Sequence, residues 1–108
     1  MEALFFNKRV EKDFEKLPAD MKAHFVRILE LMEQFGTWNL GLPYVRHLVN
    51  TKLYEIRIKG KSGIARAIFI SLEKDELVVL NVFVKKDQKT PKREIDLAIQ
   101  RYKEIKND

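Results

Sequence analysis

Three stretches of strand-like period follow one another in the second half of this chain, residues 53–59, 64–72 and 77–86, with only polar turns between them. Connections this short force neighbouring strands to run antiparallel, because a parallel neighbour needs a crossover of roughly a dozen residues or more. Gly60-Lys61-Ser62-Gly63 and Glu73-Lys74-Asp75-Glu76 supply those turns, the first rich in the residues hairpins require. Side chains alternate across a strand, so parity decides which of them share a face. Tyr54, Ile56 and Ile58 point one way, and Leu53, Glu55, Arg57 and Lys59 the other. In the second strand Arg66 shares its face with Ile68, Ile70 and Leu72, a lone cation on an apolar row. The third strand is apolar on both parities apart from Asn81, as a central strand covered on both sides should be, and it runs out into Lys85 and Lys86.

Upstream the period is helical. Asn7 can cap a helix in which Val10, Phe14 and Leu17 recur on one stripe, and Pro18 ends it while suiting the start of the next. Met21, Phe25, Ile28, Leu29, Met32 and Phe35 form a second apolar stripe, with Gly36 as its natural stop. Two helices joined at a proline read as a hairpin whose shared face covers the strands. Residues 2–6 read as a short opening strand. Residues 37–51 read as a loop holding Trp38, Gly41 and Pro43, with a short extended piece at 45–49. His24 and His47 have no second ligand or carboxylate at a telling spacing. Thr90 and Pro91 read as the N-cap and first residue of a closing helix that carries Ile95, Ala98, Ile99, Tyr102 and Ile105 on one side. The expected fold is therefore α+β: an N-terminal helical hairpin packed on a small antiparallel β-sheet, with a C-terminal helix.

A chain of 108 residues with 45% hydrophobic and 34% charged content supports a single domain spanning 1–108 and one core. The absence of cysteine excludes disulfides and thiolate metal sites. The opening Met-Glu-Ala-Leu-Phe-Phe-Asn has neither a basic segment nor a small-residue cleavage site, so a cytoplasmic protein without a secretory signal is expected. The net charge of +5 is unevenly placed. Residues 52–93 hold 11 Lys or Arg against 5 Asp or Glu, whereas the remainder holds 10 against 11. A localised cationic surface is the footprint of a polyanion such as RNA or DNA.

Zinc spacing, a phosphate-cradling glycine loop and a nucleophile elbow are all missing from the sequence. A cluster of Arg and Lys can still cleave RNA, because the ribose 2′-OH is itself the nucleophile. Fixed cations then stabilise the charge that develops on the phosphorus oxygens. Arginine suits a bidentate phosphate contact. Lysine acts as a compact charge or, if its pKa is depressed, as a base.

The residues that carry this pattern also carry a resemblance. Leu53-Tyr54-Glu55-Ile56-Arg57, then Arg66, then Phe83-Val84-Lys85-Lys86-Asp87-Gln88-Lys89-Thr90-Pro91 with Glu94-Ile95 and Ala98 resemble the HigB-type, often phage-derived, branch of the RelE/ParE toxin superfamily. The resemblance implies a RelE-like fold and a ribosome-dependent mRNA endonuclease that works without a metal or other cofactor and leaves a 2′,3′-cyclic phosphate. It implies a neighbouring helix-turn-helix antitoxin of the HigA kind, with the ribosome and mRNA as partners and no membrane. By position, Arg57, Arg66, Lys85 and Lys86 would be catalytic, and Lys59, Lys61, Lys89 and Thr90 would hold the RNA. This chain has Ala65 where many relatives carry an aromatic, Asn81 where some carry histidine, and Asp87 where threonine is common. A ParE-like inhibitor of DNA gyrase and an inactive antitoxin-binding relative are the alternatives.

Overall fold

The computed structural model describes residues 2–35, 44–73, 76–85 and 89–106. A five-stranded sheet with strand order β1-β5-β4-β3-β2 is its centre. The strands are β1 (Glu2–Phe5), β2 (Val45–His47), β3 (Tyr54–Gly60), β4 (Gly63–Glu73) and β5 (Glu76–Val84). Among the described residues three helices flank them: α1 (Lys8–Glu15), α2 (Ala19–Phe35) and α3 (Lys92–Lys106). None of the described helices is long and apolar enough to cross a membrane.

The three consecutive strands behave as their short turns require. β3 pairs antiparallel with β4, and β4 with β5. Gly63 closes the first turn at φ +146°, a backbone region that side chains with a Cβ rarely enter. β5 is central, between β4 and β1, and its residues Leu77–Val82 are buried. Two outer strands change the expected sheet. β2 adds antiparallel to β3, whereas β1 lies parallel to β5, with Ala3 opposite Leu77 and Phe5 opposite Val79. The sheet is thus mixed rather than antiparallel. The physical reason is the two-sided apolar character of β5, whose second edge must be covered; the segment Ala3-Leu4-Phe5 covers it.

The expected helical hairpin is also corrected. α1 packs on β5 and β1, while α2 packs along β3. Each helix buries its own apolar stripe in the sheet instead of in the other helix, and the two meet edge-on through Phe14 and Phe25, ring centroids 4.8 Å apart. Asn7 caps α1 as expected, Oδ1 accepting from Val10 N–H at 2.9 Å. In α2, Met21, Phe25, Ile28, Leu29 and Met32 are buried, but Phe35 at the last position is 53% exposed. Gly36, Trp38, Gly41 and Pro43 lie outside the described residues.

The two sheet faces therefore carry different cores. One holds Ile56, Ile58, Ala65, Ala67, Phe69, Val79 and Val82 against α1 and α2. The other holds Leu53, Ile68, Ile70, Val78 and Leu80 against Ala98, Ile95, Ile99 and Tyr102 of α3. A register shift on β5 between the partners of Ile68 and Phe69 makes Leu80 the extra residue of a bulge. Asn81 beside it donates to the Glu94 backbone carbonyl at 3.1 Å and to Glu94 Oε1 at 2.9 Å, which ties the first turn of α3 to the sheet.

Candidate nucleic-acid interface

α3 covers only part of its sheet face. Beyond its first turn, pleat and register bring charged side chains together. Arg57 stands directly opposite Arg66, which in turn stands opposite Phe83, and Arg46 of β2 stands opposite Glu55 of β3. Lys85 follows Phe83 on the same parity, its N–H donated to the Ile64 carbonyl at 2.8 Å. Four cations from four successive segments thus border one carboxylate.

Glu55 is the centre of the arrangement. It is 2% exposed, and an ionised carboxylate at that depth requires charge and hydrogen-bond partners. Arg66, 5% exposed, donates Nη1 to Glu55 Oε1. The Thr90 hydroxyl donates to Glu55 Oε2. Arg46 brings Nε to 3.3 Å from Oε1. Thr90 Oγ1 also accepts from Arg66 Nη1 at 3.1 Å and from Arg46 Nη2 at 3.3 Å. Thr90 is therefore not the expected N-cap of the last helix. α3 starts at Lys92, and the Pro91 carbonyl accepts from Glu94 and Ile95.

Lys85 feels this surrounding charge. Partial desolvation, then the guanidinium groups of Arg66 and Arg57 and that of Arg46, hold its ammonium pKa below the usual lysine value, with Glu55 acting in the opposite direction. Arg57 is half-buried, and its Nε finds no hydrogen-bond partner among the described residues. That nitrogen is itself buried, so the half-buried side chain meets solvent through the rest of its guanidinium.

Of the residues singled out from sequence, Arg57, Arg66, Lys85 and Thr90 come together. Lys59 lies two residues nearer the hairpin turn; its N–H is donated to His24 Nδ1 at 2.8 Å, and its charge assists burial in lowering the pKa of that imidazole. Lys61 is in the turn, with its N–H on Asp20 Oδ2 at 2.7 Å. Lys89 is exposed beside Thr90. Lys86 and Asp87 lie outside the described residues. Sequence reasoning missed Arg46 and gave Glu55 no partner. No local signal marked Arg46, because its strand has three residues and its place opposite Glu55 is set by pairing between distant segments. Among the described residues, no group of three or more His, Asp or Glu is placed to hold a metal ion.

By structure this is an α+β protein with a mixed sheet and a cation-rich, carboxylate-anchored face. The chain belongs to the family described as Phage derived protein Gp49-like (DUF891), which matches residues 12–103 and so takes in every member of the cluster. This is in general a RelE/HigB-like toxin family, whose relatives are often endoribonucleases, and membership suggests an antitoxin partner. No curated protein matches the chain.

Proposed function

We propose that this protein is the HigB-type toxin of a type II toxin–antitoxin system, a cytoplasmic endonuclease that cleaves mRNA on the ribosome and is neutralised by a helix-turn-helix antitoxin. The observation that carries the reading is the convergence of Arg46, Arg57, Arg66 and Lys85 around the single carboxylate of Glu55. The surplus of positive charge on a partly desolvated surface favours a phosphate, and more so the extra charge of a pentavalent phosphorane.

In this reading Arg57 contacts the non-bridging oxygens of the scissile phosphate, and Arg66 adds its field from beneath. The ribose 2′-oxygen attacks phosphorus as its proton passes to solvent water. The bond from phosphorus to the 5′-oxygen then breaks, leaving a 2′,3′-cyclic phosphate and a 5′-hydroxyl. Lys85 gives the departing 5′-oxygen its proton, and a lowered pKa makes it the stronger acid for that step. Activity is then lost as pH rises through the lowered pKa of Lys85, because the acid must be protonated. Lys86, Lys59, Lys61 and Lys89 would extend the contact along the RNA backbone.

The test is to map transcript ends after brief induction of the wild type and of Lys85→Ala. Growth arrest with new mRNA ends in the wild type, both relieved by the substitution, is the expected result. A DNA-damage response with intact mRNA would instead select gyrase as the target, and neither effect would leave only an antitoxin-binding role.

A further inference from the structure

A threonine hydroxyl has one proton and two acceptor lone pairs. That of Thr90 uses all three, donating to Glu55 and accepting from Arg66 and Arg46. Thr90 lies just ahead of α3, Glu55 on β3, Arg66 on β4 and Arg46 on β2, so one oxygen joins four separate pieces of the chain. The two arginines differ in exposure. Arg66 is buried, while the Arg46 side chain is 46% exposed. Among the described residues Arg46 uses its Nε and Nη2 on Glu55 and Thr90, while a guanidinium carries five N–H donors.

We infer that Glu55 and Thr90 are positioning residues that clasp Arg66 and Arg46 into one rigid fork, and that Arg46 contacts the RNA phosphate next to the scissile one. The inference rests on the RNA-cleavage reading for its kinetic consequence, but the clasp itself does not depend on it. An unclasped arginine must be ordered when the phosphate arrives, which weakens binding and misaligns the field at the moment charge develops. A fork fixed beforehand avoids both losses.

Desolvation and the arginines lower the proton affinity of Lys85 and the carboxylate partly offsets them; the lysine is faced by Arg66 of β4, Arg57 and Glu55 of β3, and Arg46 of β2. Glu55 is the group there that raises the lysine pKa, so Glu55→Gln should move the alkaline limb of the activity profile to lower pH. A merely structural role for Glu55 would change the amount of folded protein and leave that limb in place.

Two readouts on the full chain decide the matter. Without RNA, the arginine Nη–H signals and the Lys85 ammonium titration are followed by 15N NMR. With ribosomes and a defined mRNA, kcat and KM are measured separately. In the unaltered protein the Arg66 Nη1–H group, which makes the bonds to Glu55 and Thr90, should give one sharp, slowly exchanging signal; averaging of that signal by fast rotation of the guanidinium would overturn the clasp before any substitution is made. Thr90→Val should broaden it and lower kcat by about tenfold, the worth of one charge-assisted hydrogen bond. Thr90→Ser, which keeps the hydroxyl, should recover most of both. Arg46→Ala should raise KM about tenfold with little change in kcat, the mark of a contact equal in ground and transition states. Equal behaviour of the valine and serine variants refutes the clasp, and an unchanged KM refutes the contact by Arg46. Should the wild type cleave no RNA while the NMR results hold, the nuclease reading and the phosphate contact fail and the clasp stands.

Discussion

The two faces of the sheet obey the same alternation but solve different problems. The core of the face under α1 and α2 is apolar, and Phe69, Ile56 and Ile58 are buried there in a cluster of aliphatic and aromatic side chains. The face under α3 begins in the same way with Leu53 and Ile68, then changes within two residues to Glu55, Arg57 and Arg66. Burial on the first face lowers free energy directly through apolar surface removed from water. On the second, desolvated charges must be matched by partners, and the matching leaves cations in excess. A surface built in that way is held under electrostatic tension, which is the condition a phosphate relieves.

Breaking each face separately sharpens the contrast. On the apolar face Phe69→Ala should destabilise the fold by about 3–5 kcal/mol, with the activity per folded molecule unchanged. On the other, Glu55→Ala should cost a comparable ~3–5 kcal/mol, because it strands the buried Arg66 guanidinium, and here the residual folded protein should be impaired as well. Denaturant melts together with cleavage normalised to folded protein distinguish the two cases. Arg57→Ala inverts the pattern. Its unfolding midpoint should move little, while cleavage should fall by about 100- to 1,000-fold, the usual effect of removing one donor to transition-state charge.

Smaller changes test how α2 is set on β3. A Cβ at Gly60 would stand 2.6 Å from Met21 Cγ and 2.9 Å from Asp20 Oδ2, so Gly60→Ala should cost about 1–3 kcal/mol by overpacking. The smallest expected effect belongs to His24, whose Nδ1 accepts from Lys59 N–H and whose pKa burial and Lys59 hold below 6.5. Its unfolded form takes up a proton first as pH falls. The stability it confers is complete above pH 6.5 and is lost as pH drops from there toward the lower folded value. Thermal midpoints between pH 7 and 5 should fall more steeply for the wild type than for His24→Gln.

Much of this was legible from residues alone, and for a definite reason. Alternation is a local property, so β3, β4 and β5, the parity of Arg57 and of Arg66 within their own strands, and the stripe from Met21 to Met32 could all be read directly. Partnership between distant segments is not local. Nothing in Glu2–Phe5 says that it lies parallel to β5, and the placement of α1 on β5 and β1 follows only from that pairing. Arg46 stands in a strand of three residues, too short to display a period. No role for Glu55 could be read because its partners come from three other segments, and Thr90 looked like a helix cap because its hydroxyl suits either task.

The central claim is that arginine and lysine groups on this face drive attack by the ribose itself. Purified protein acting on ribosome-bound mRNA, with a single 2′-deoxy nucleotide placed immediately 5′ of the mapped cut, tests it most directly. Loss of cleavage at that position alone, with a 2′,3′-cyclic phosphate at the native site, is the predicted result. Undiminished cutting at the deoxy position would contradict the account.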